Sequence, residues 1–197
     1  LEVSKKDAAM LRENHANYVD ALSTLLLPKD AYSGKGIVTV GGGRFSIMAL
    51  LVIKTLRNLN TKLPVEVFIP PSDEGEDEFC EKVLPTLNAK CIHLSDILPK
   101  QALDSFEFKG YQFKSLALIT SSFEDVLFLD ADNFPVKPLN TIFDQDPYKS
   151  TGFVLWPDYW RRLTQPVYYS IADIPVTNTR VRNCFDNLTP PEVYTKN

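Results

Sequence analysis

Four consecutive apolar residues, Val126-Leu127-Phe128-Leu129, run straight into Asp130-Ala131-Asp132. An unbroken apolar run of this length is the pattern of a strand buried on both faces, which belongs in a parallel sheet covered by helices. Residues i and i+2 of a strand point to the same side, so a chain extended through 132 turns both carboxylates toward one point. Open α/β sheets hold ligands at the carboxyl ends of their strands. Two carboxylates there suit a hard divalent cation, Mg²⁺ or Mn²⁺, that keeps positions open for substrate phosphates. The plainer alternative is a solvated Asp-x-Asp turn, and the apolar run in front of the pair weighs against it.

Upstream, the same grammar repeats. Ile37-Val38-Thr39-Val40 is a β-branched run, Gly41-Gly42-Gly43-Arg44 a sharp turn, and 45–59 a helix apolar on most faces. Val65-Glu66-Val67-Phe68-Ile69 is a second strand, bounded by Pro64 and by Pro70-Pro71. An acidic helix is expected over 73–84, closed by Lys82 in agreement with the helix dipole, and a third strand over 90–94. The stretch 95–109 is irregular; 112–123 reads as a helix and 126–129 as a strand. A short helical turn is expected over 139–143 and another strand over 153–155. Alternating strands and helices predict one α/β domain with a mostly parallel central sheet and helices on both faces. Before it, Ser4 and Asp7 have capping spacing, and Leu11, His15, Tyr18, Val19, Leu22 and Leu26 recur at helical intervals until Pro28, with His15 structural.

Three further signals accompany the aspartates. Glycines 41–43 permit close backbone approach, the following helix N-terminus favours an anion, and Arg44 adds a bidentate phosphate donor. The turn is neither a P-loop nor a full G-x-G-x-x-G, because Ser46 stands at the last position; a simple strand-to-helix turn remains open. Tyr111-Gln112-Phe113-Lys114 opens the helix that leads into the Asp-x-Asp strand, which would return Lys114 to the crevice as a point charge for phosphate. Trp156, Asp158, Tyr159 and Trp160 combine aromatic faces with a carboxylate, which suits a sugar, although aromatic residues after a strand also serve as core.

Composition limits the classes. The chain has 197 residues, 44% hydrophobic and 23% charged, as in globular domains. With 21 basic and 25 acidic side chains the net charge is −4, which disfavours a nucleic-acid partner. The most apolar stretch, 47–56, is too short for a membrane helix and carries Lys54. Cys80, Cys91 and Cys184 have no C-x-x-C spacing, and there are two histidines, so a zinc site is disfavoured. Either the three thiols are buried, or Cys80 and Cys91 are bonded in an oxidising compartment. Asn187-Leu188-Thr189 is a glycosylation sequon followed by Pro190.

In order, the strand with Gly-Gly-Gly-Arg, Leu63-Pro64-Val65-Glu66-Val67, the run Gly110-Tyr111-Gln112-Phe113-Lys114-Ser115-Leu116-Ala117-Leu118, Leu127-Phe128-Leu129-Asp130-Ala131-Asp132-Asn133-Phe134-Pro135 and Leu155-Trp156-Pro157-Asp158 resemble the fungal Golgi α-mannosyltransferases of the Mnn type, glycosyltransferase family 71. The nearer branch is that of the α-1,2 enzymes, with the α-1,3 enzymes also possible. The resemblance implies a GT-A fold, a GDP-mannose donor, Mn²⁺, an oligomannose or mannan acceptor and retention at the anomeric carbon. It also implies a type II protein of the Golgi membrane, with its anchor upstream of Leu1 and its catalytic part in the lumen. It places 1–35 as an N-terminal helix and connection, and 36–197 as the donor-binding part of a catalytic domain that continues further. Carried over by position, Asp130 and Asp132 hold the metal and donor. Gly42, Gly43 and Arg44 form the nucleotide turn, Tyr111 and Lys114 lie beside the diphosphate, and Trp156 and Asp158 lie near sugar or acceptor. No catalytic base or nucleophile is assigned. Two rivals stand beside this reading: a haloacid-dehalogenase-type phosphatase with Asp130 as nucleophile, and a sugar-nucleotide-binding module without activity.

Overall fold

The computed structural model describes residues 3–73, 76–156 and 165–176. The chain divides into two compact units, Pro28–Val154 and Leu1–Leu27 with Leu155–Asn197.

The larger unit is built on four parallel strands: β1 (Lys35–Val40), β2 (Val65–Ile69), β3 (Ala89–His93) and β4 (Asp125–Phe128). Their spatial order is β3-β2-β1-β4. Ile37 of β1 stands opposite Val65 on one side and Leu127 on the other. From β1 the chain passes through α2 (Arg44–Asn58) to β2 and then outward to β3. It returns through α3 (Lys100–Ser105) and α4 (Gln112–Thr120) to β4, on the opposite side of β1. The strand order therefore reverses between β1 and β4. A crevice opens at the carboxyl ends of two strands at such a reversal.

Side-chain alternation sorts the strands onto two cores. Ile37, Val65, Val67, Ile69 and Leu127 pack on Ala49, Val52, Ile53 and Leu56 of α2. Val38 and Phe68 face the other way, with Leu94 and with Ala117 of α4. Every residue of β2 is buried, including Glu66. The parallel sheet with helices on both faces agrees with the sequence pattern.

Four local expectations are corrected. No single helix spans 73–84: a 3₁₀ turn, Pro71–Asp73, is followed by a wide π-helical turn, Glu78–Val83, and a second 3₁₀ turn, Leu84–Leu87. Pro85 has no N–H to continue an α-helix, and Cys80 is bonded to Cys91 of β3. The fourth strand ends at Phe128, one residue early. The helix expected over 112–123 stops at Thr120, because Ser121 and Ser122 turn their donors to Glu66. Phe153 and Leu155 form no strand; they are exposed, and among the described residues no strand edge pairs with them.

The smaller unit contains α1 (Lys5–Thr24) and α6 (Pro166–Ile171), while α5 (Tyr148–Thr151) belongs to the larger one. Ser4 caps α1, accepting from the Asp7 N–H at 3.1 Å and donating to its carboxylate at 2.7 Å. Arg12 and Asp173 are ion-paired at 2.5 Å. Among the described residues no helix is long and apolar enough to cross a membrane.

Candidate functional site

A cavity of about 490 Å³ opens at the carboxyl ends of β1, β2 and β4, at the reversal of strand order. Its wall comprises Val40 and Gly41 after β1, Phe45 of α2, Pro70 and Asp73 after β2, Gly110, Tyr111, Phe113 and Lys114 at the start of α4, and Asp130, Ala131 and Asp132 after β4. Four segments far apart in sequence meet there because each parallel strand ends on the same edge of the sheet.

The aspartates reach the cavity by a route different from the expected one. Since β4 ends at Phe128, strand alternation does not extend to 132; residues 130–133 form a turn in which the Asn133 N–H donates to the Asp130 carbonyl at 2.9 Å. Ala131, buried between the two, anchors the turn in the core beneath. Asp130 and Asp132 both line the cavity, Asp130 half-buried and Asp132 exposed.

Lys114 spans the mouth toward Asp130. Its Nζ lies 2.7 Å from Oδ1 and 2.8 Å from Oδ2, and 5.5 Å from the centre of the Tyr111 ring. The ammonium expected to await a phosphate thus holds a carboxylate in place. Both partners keep more than two-fifths of their side-chain surface exposed, so the pair can rearrange around an incoming anion without burying a lone charge.

The glycine turn lies next to the cavity rather than forming its floor. Gly41 is on the wall, and a Cβ there would fall 2.8 Å from Val67 Cγ1. Gly42 has φ +97°, and a Cβ would meet Asp73 Oδ2 at 2.8 Å. Only glycine therefore permits the Asp73 carboxylate to lie so close to the backbone. The Gly42 N–H donates to Ser46 Oγ at 2.9 Å, and Ser46 in turn donates to Glu76. Gly42, Gly43 and Arg44 are not on the cavity wall; Arg44 is exposed, its guanidinium 4.9 Å from the Phe45 ring centre. Trp156 is 67% exposed and belongs to the smaller unit, while Asp158, Cys184 and the sequon at Asn187 lie outside the described residues.

Phe45, Pro70, Phe113 and Asp73 were not foreseen. The first three look like core in any sequence window. Asp73 reads as a helix opener, and only its place after β2, beside the glycine turn of β1, brings it to the cavity.

The cavity's donor set is all oxygen, and among the described residues no three carboxylates converge there closely enough to enclose an ion by themselves. That fits a divalent cation held by one or two carboxylates with its remaining positions completed by substrate phosphates. The cluster that does converge, Cys80, Cys91 and His93, has its two sulfurs joined in a disulfide.

A family model described as "Mannosyltransferase putative" matches residues 34–197. The chain belongs to this mannosyltransferase family. It is 62% identical over 197 residues to the alpha-1,2-mannosyltransferase MNN2 of Saccharomyces cerevisiae, covering 100% of the chain and 33% of that protein. It is 45% identical over 191 residues to the alpha-1,2-mannosyltransferase MNN5 of the same yeast, covering 93% of the chain and 33% of the relative. With the alpha-1,2-mannosyltransferase MNN21 of Candida albicans the identity is 45% over 188 residues, covering 90% and 28%. The chain thus spans about a third of the length of these relatives. The Mnn-type resemblance read from the motifs is borne out.

Proposed function

We propose that this mannosyltransferase-family chain is the donor-binding part of a retaining glycosyltransferase with a GT-A fold. In this reading it transfers mannose from GDP-mannose to an oligomannose or mannan acceptor and forms an α-1,2 linkage. The observation that carries the reading is the joint placement of Asp130, Asp132, Lys114 and Tyr111 on one cavity at the reversal of strand order. The similarity to proteins named as alpha-1,2-mannosyltransferases favours mannose and the α-1,2 linkage. Family resemblance supports the GDP donor, Mn²⁺, retention and the setting in the Golgi lumen.

Breaking a glycosyl–phosphate bond leaves a diphosphate whose growing charge must be neutralised. Asp130 and Asp132 are the residues that would hold the cation. When bound, it supplies Lewis-acid stabilisation of that leaving group. Lys114 fixes the Asp130 carboxylate from the protein side and offers an ammonium to a diphosphate oxygen. Tyr111 and Phe113 give the same end of the cavity aromatic walls. No side chain on this wall is assigned as nucleophile toward the anomeric carbon.

The test is competition among nucleotide sugars on the full-length protein, followed by linkage analysis of the product. GDP-mannose should be the preferred donor and an α-1,2-linked mannose the product. A clear preference for a uridine-diphosphate sugar would overturn the reading of the donor.

A further inference from the structure

Strand β2 grips α4 at both ends. Alternation puts Glu66 and Phe68 on the same face of the sheet, the one that α4 covers. Phe68 packs on Phe113 in the first turn of α4, the ring centres 6.3 Å apart. Glu66 holds the other end. Its Oε2 accepts from Ser121 Oγ at 2.8 Å and from the Ser122 N–H at 3.0 Å, and its Oε1 accepts from Ser122 Oγ. Ser121 is itself buried and closes α4. Among the described residues the one other partner of this carboxylate is Lys90, mostly exposed, at 3.0 Å. Burying a carboxylate is costly, and one exposed ammonium does little to offset that. What the carboxylate adds is direction. Apolar contact is non-directional, whereas three hydrogen bonds of defined geometry fix where a helix ends.

We propose that Glu66 is a positioning residue for the donor site: by holding Ser121 and Ser122 it sets Lys114 against Asp130; this rests on the nucleotide-sugar reading of the cavity. The two serines form the junction between α4 and β4. Ser122 is midway in sequence between Lys114 and Asp130, so the helix that carries the ammonium and the strand that leads to the carboxylate both spring from the point that Glu66 fixes. Helix α4 has nine residues, a rod of about 13 Å, so a shift at its last turn is delivered to its first. There Lys114 meets both oxygens of Asp130, at 2.7 and 2.8 Å, and Tyr111 and Phe113 line the cavity. A two-oxygen contact tolerates little displacement, and misplacing a reacting group by about 1 Å costs on the order of 10²-fold in rate.

The experiment measures GDP affinity of the full-length protein with Mn²⁺ present, at a temperature where every variant is folded. It compares the wild type with Glu66→Gln, Ser122→Ala, Lys114→Met and the double variants that pair each of the first two with Lys114→Met. Leu84→Ala, a buried residue in the core on the other face of the sheet, is the control for lost stability. Lys114→Met should weaken GDP binding about tenfold, the scale of a hydrogen bond from a charged donor. Glu66→Gln and Ser122→Ala should each lose part of that tenfold, and Leu84→Ala none of it. Glu66 and Lys114 share no hydrogen-bond partner, so independent effects would add. Positioning predicts instead that Glu66→Gln and Ser122→Ala have little further effect in the Lys114→Met background. Amide exchange over 112–116 should quicken in Glu66→Gln and not in Leu84→Ala. Additive losses, an equal loss in Leu84→Ala, or unchanged affinity in both Glu66→Gln and Ser122→Ala overturn the positioning role and leave the donor reading standing. No binding of GDP to the wild type overturns the donor reading and this proposal together. Ser122→Ala keeps the buried carboxylate, so its pair with Lys114→Met decides the matter even if Glu66→Gln fails to fold.

Discussion

Glu66 sits in the middle of β2 with its side chain sealed from solvent, 1% exposed. Burial alone would raise its carboxyl pKa. Hydrogen bonds from both Ser122 groups and Ser121, with the Lys90 ammonium at 3.0 Å, outweigh burial and hold it below the ordinary 4.5. Because the folded pKa is depressed, the stabilisation is fully present above about pH 4.5 and is lost as pH falls through the lower folded value. Glu66→Gln should lower stability by about 1–3 kcal/mol at neutral pH, since it removes the charge from these bonds. The gap between wild type and variant should narrow on acidification, and denaturant unfolding across pH measures it. A gap independent of pH would contradict the account. In the sequence Glu66 was one polar letter inside a strand. Its serine partners are 55 and 56 residues away, so no local pattern could name them. Asp130 and Asp132 were legible because the signal was local, an apolar strand running into two carboxylates. Their actual turn geometry was not, because where a strand ends depends on which neighbour it pairs with.

At the scale of elements, β1, α2 and β2 were legible almost to the residue, since β-branched runs, a glycine turn and bounding prolines are all local signals. The segment between β2 and β3 was not. Its acidic start and Lys82 suit a helix, but Pro85 and the Cys80–Cys91 bridge shape it into three short turns. The two cysteines are 11 residues apart in sequence. Closing a loop of that size contributes about 3 kcal/mol in the chain-entropy model. The bridge ties the Glu78–Val83 turn to β3, on the far side of β2 from the cavity. Reduction, or paired replacement of Cys80 and Cys91 by Ala, should therefore lower the thermal midpoint without altering nucleotide affinity at temperatures where the fold persists. Two free thiols counted at these positions in unreduced, denatured protein would reject the bridge.

At the scale of the molecule, function follows from topology. A parallel sheet whose order reverses between β1 and β4 must present the ends of those strands together, and α4 must begin beside them to lead into β4. That alone brings Lys114 back across 16 residues of sequence to Asp130. On the proposed reading, Asp130 and Asp132 hold a divalent cation against the donor diphosphate. Asp132 is exposed on the cavity wall, so Asp132→Asn keeps shape and fold while removing an anionic ligand. The most direct measurement is mannosyl transfer by the full-length protein as Mn²⁺ is titrated, in the wild type and in Asp132→Asn, with thermal unfolding recorded for both. The account predicts a wild type silenced by stringent chelation and restored by Mn²⁺. It predicts a variant slower on the order of 10²–10³-fold, with an unchanged unfolding midpoint. Full activity in Asp132→Asn, or wild-type transfer indifferent to chelation, would contradict it.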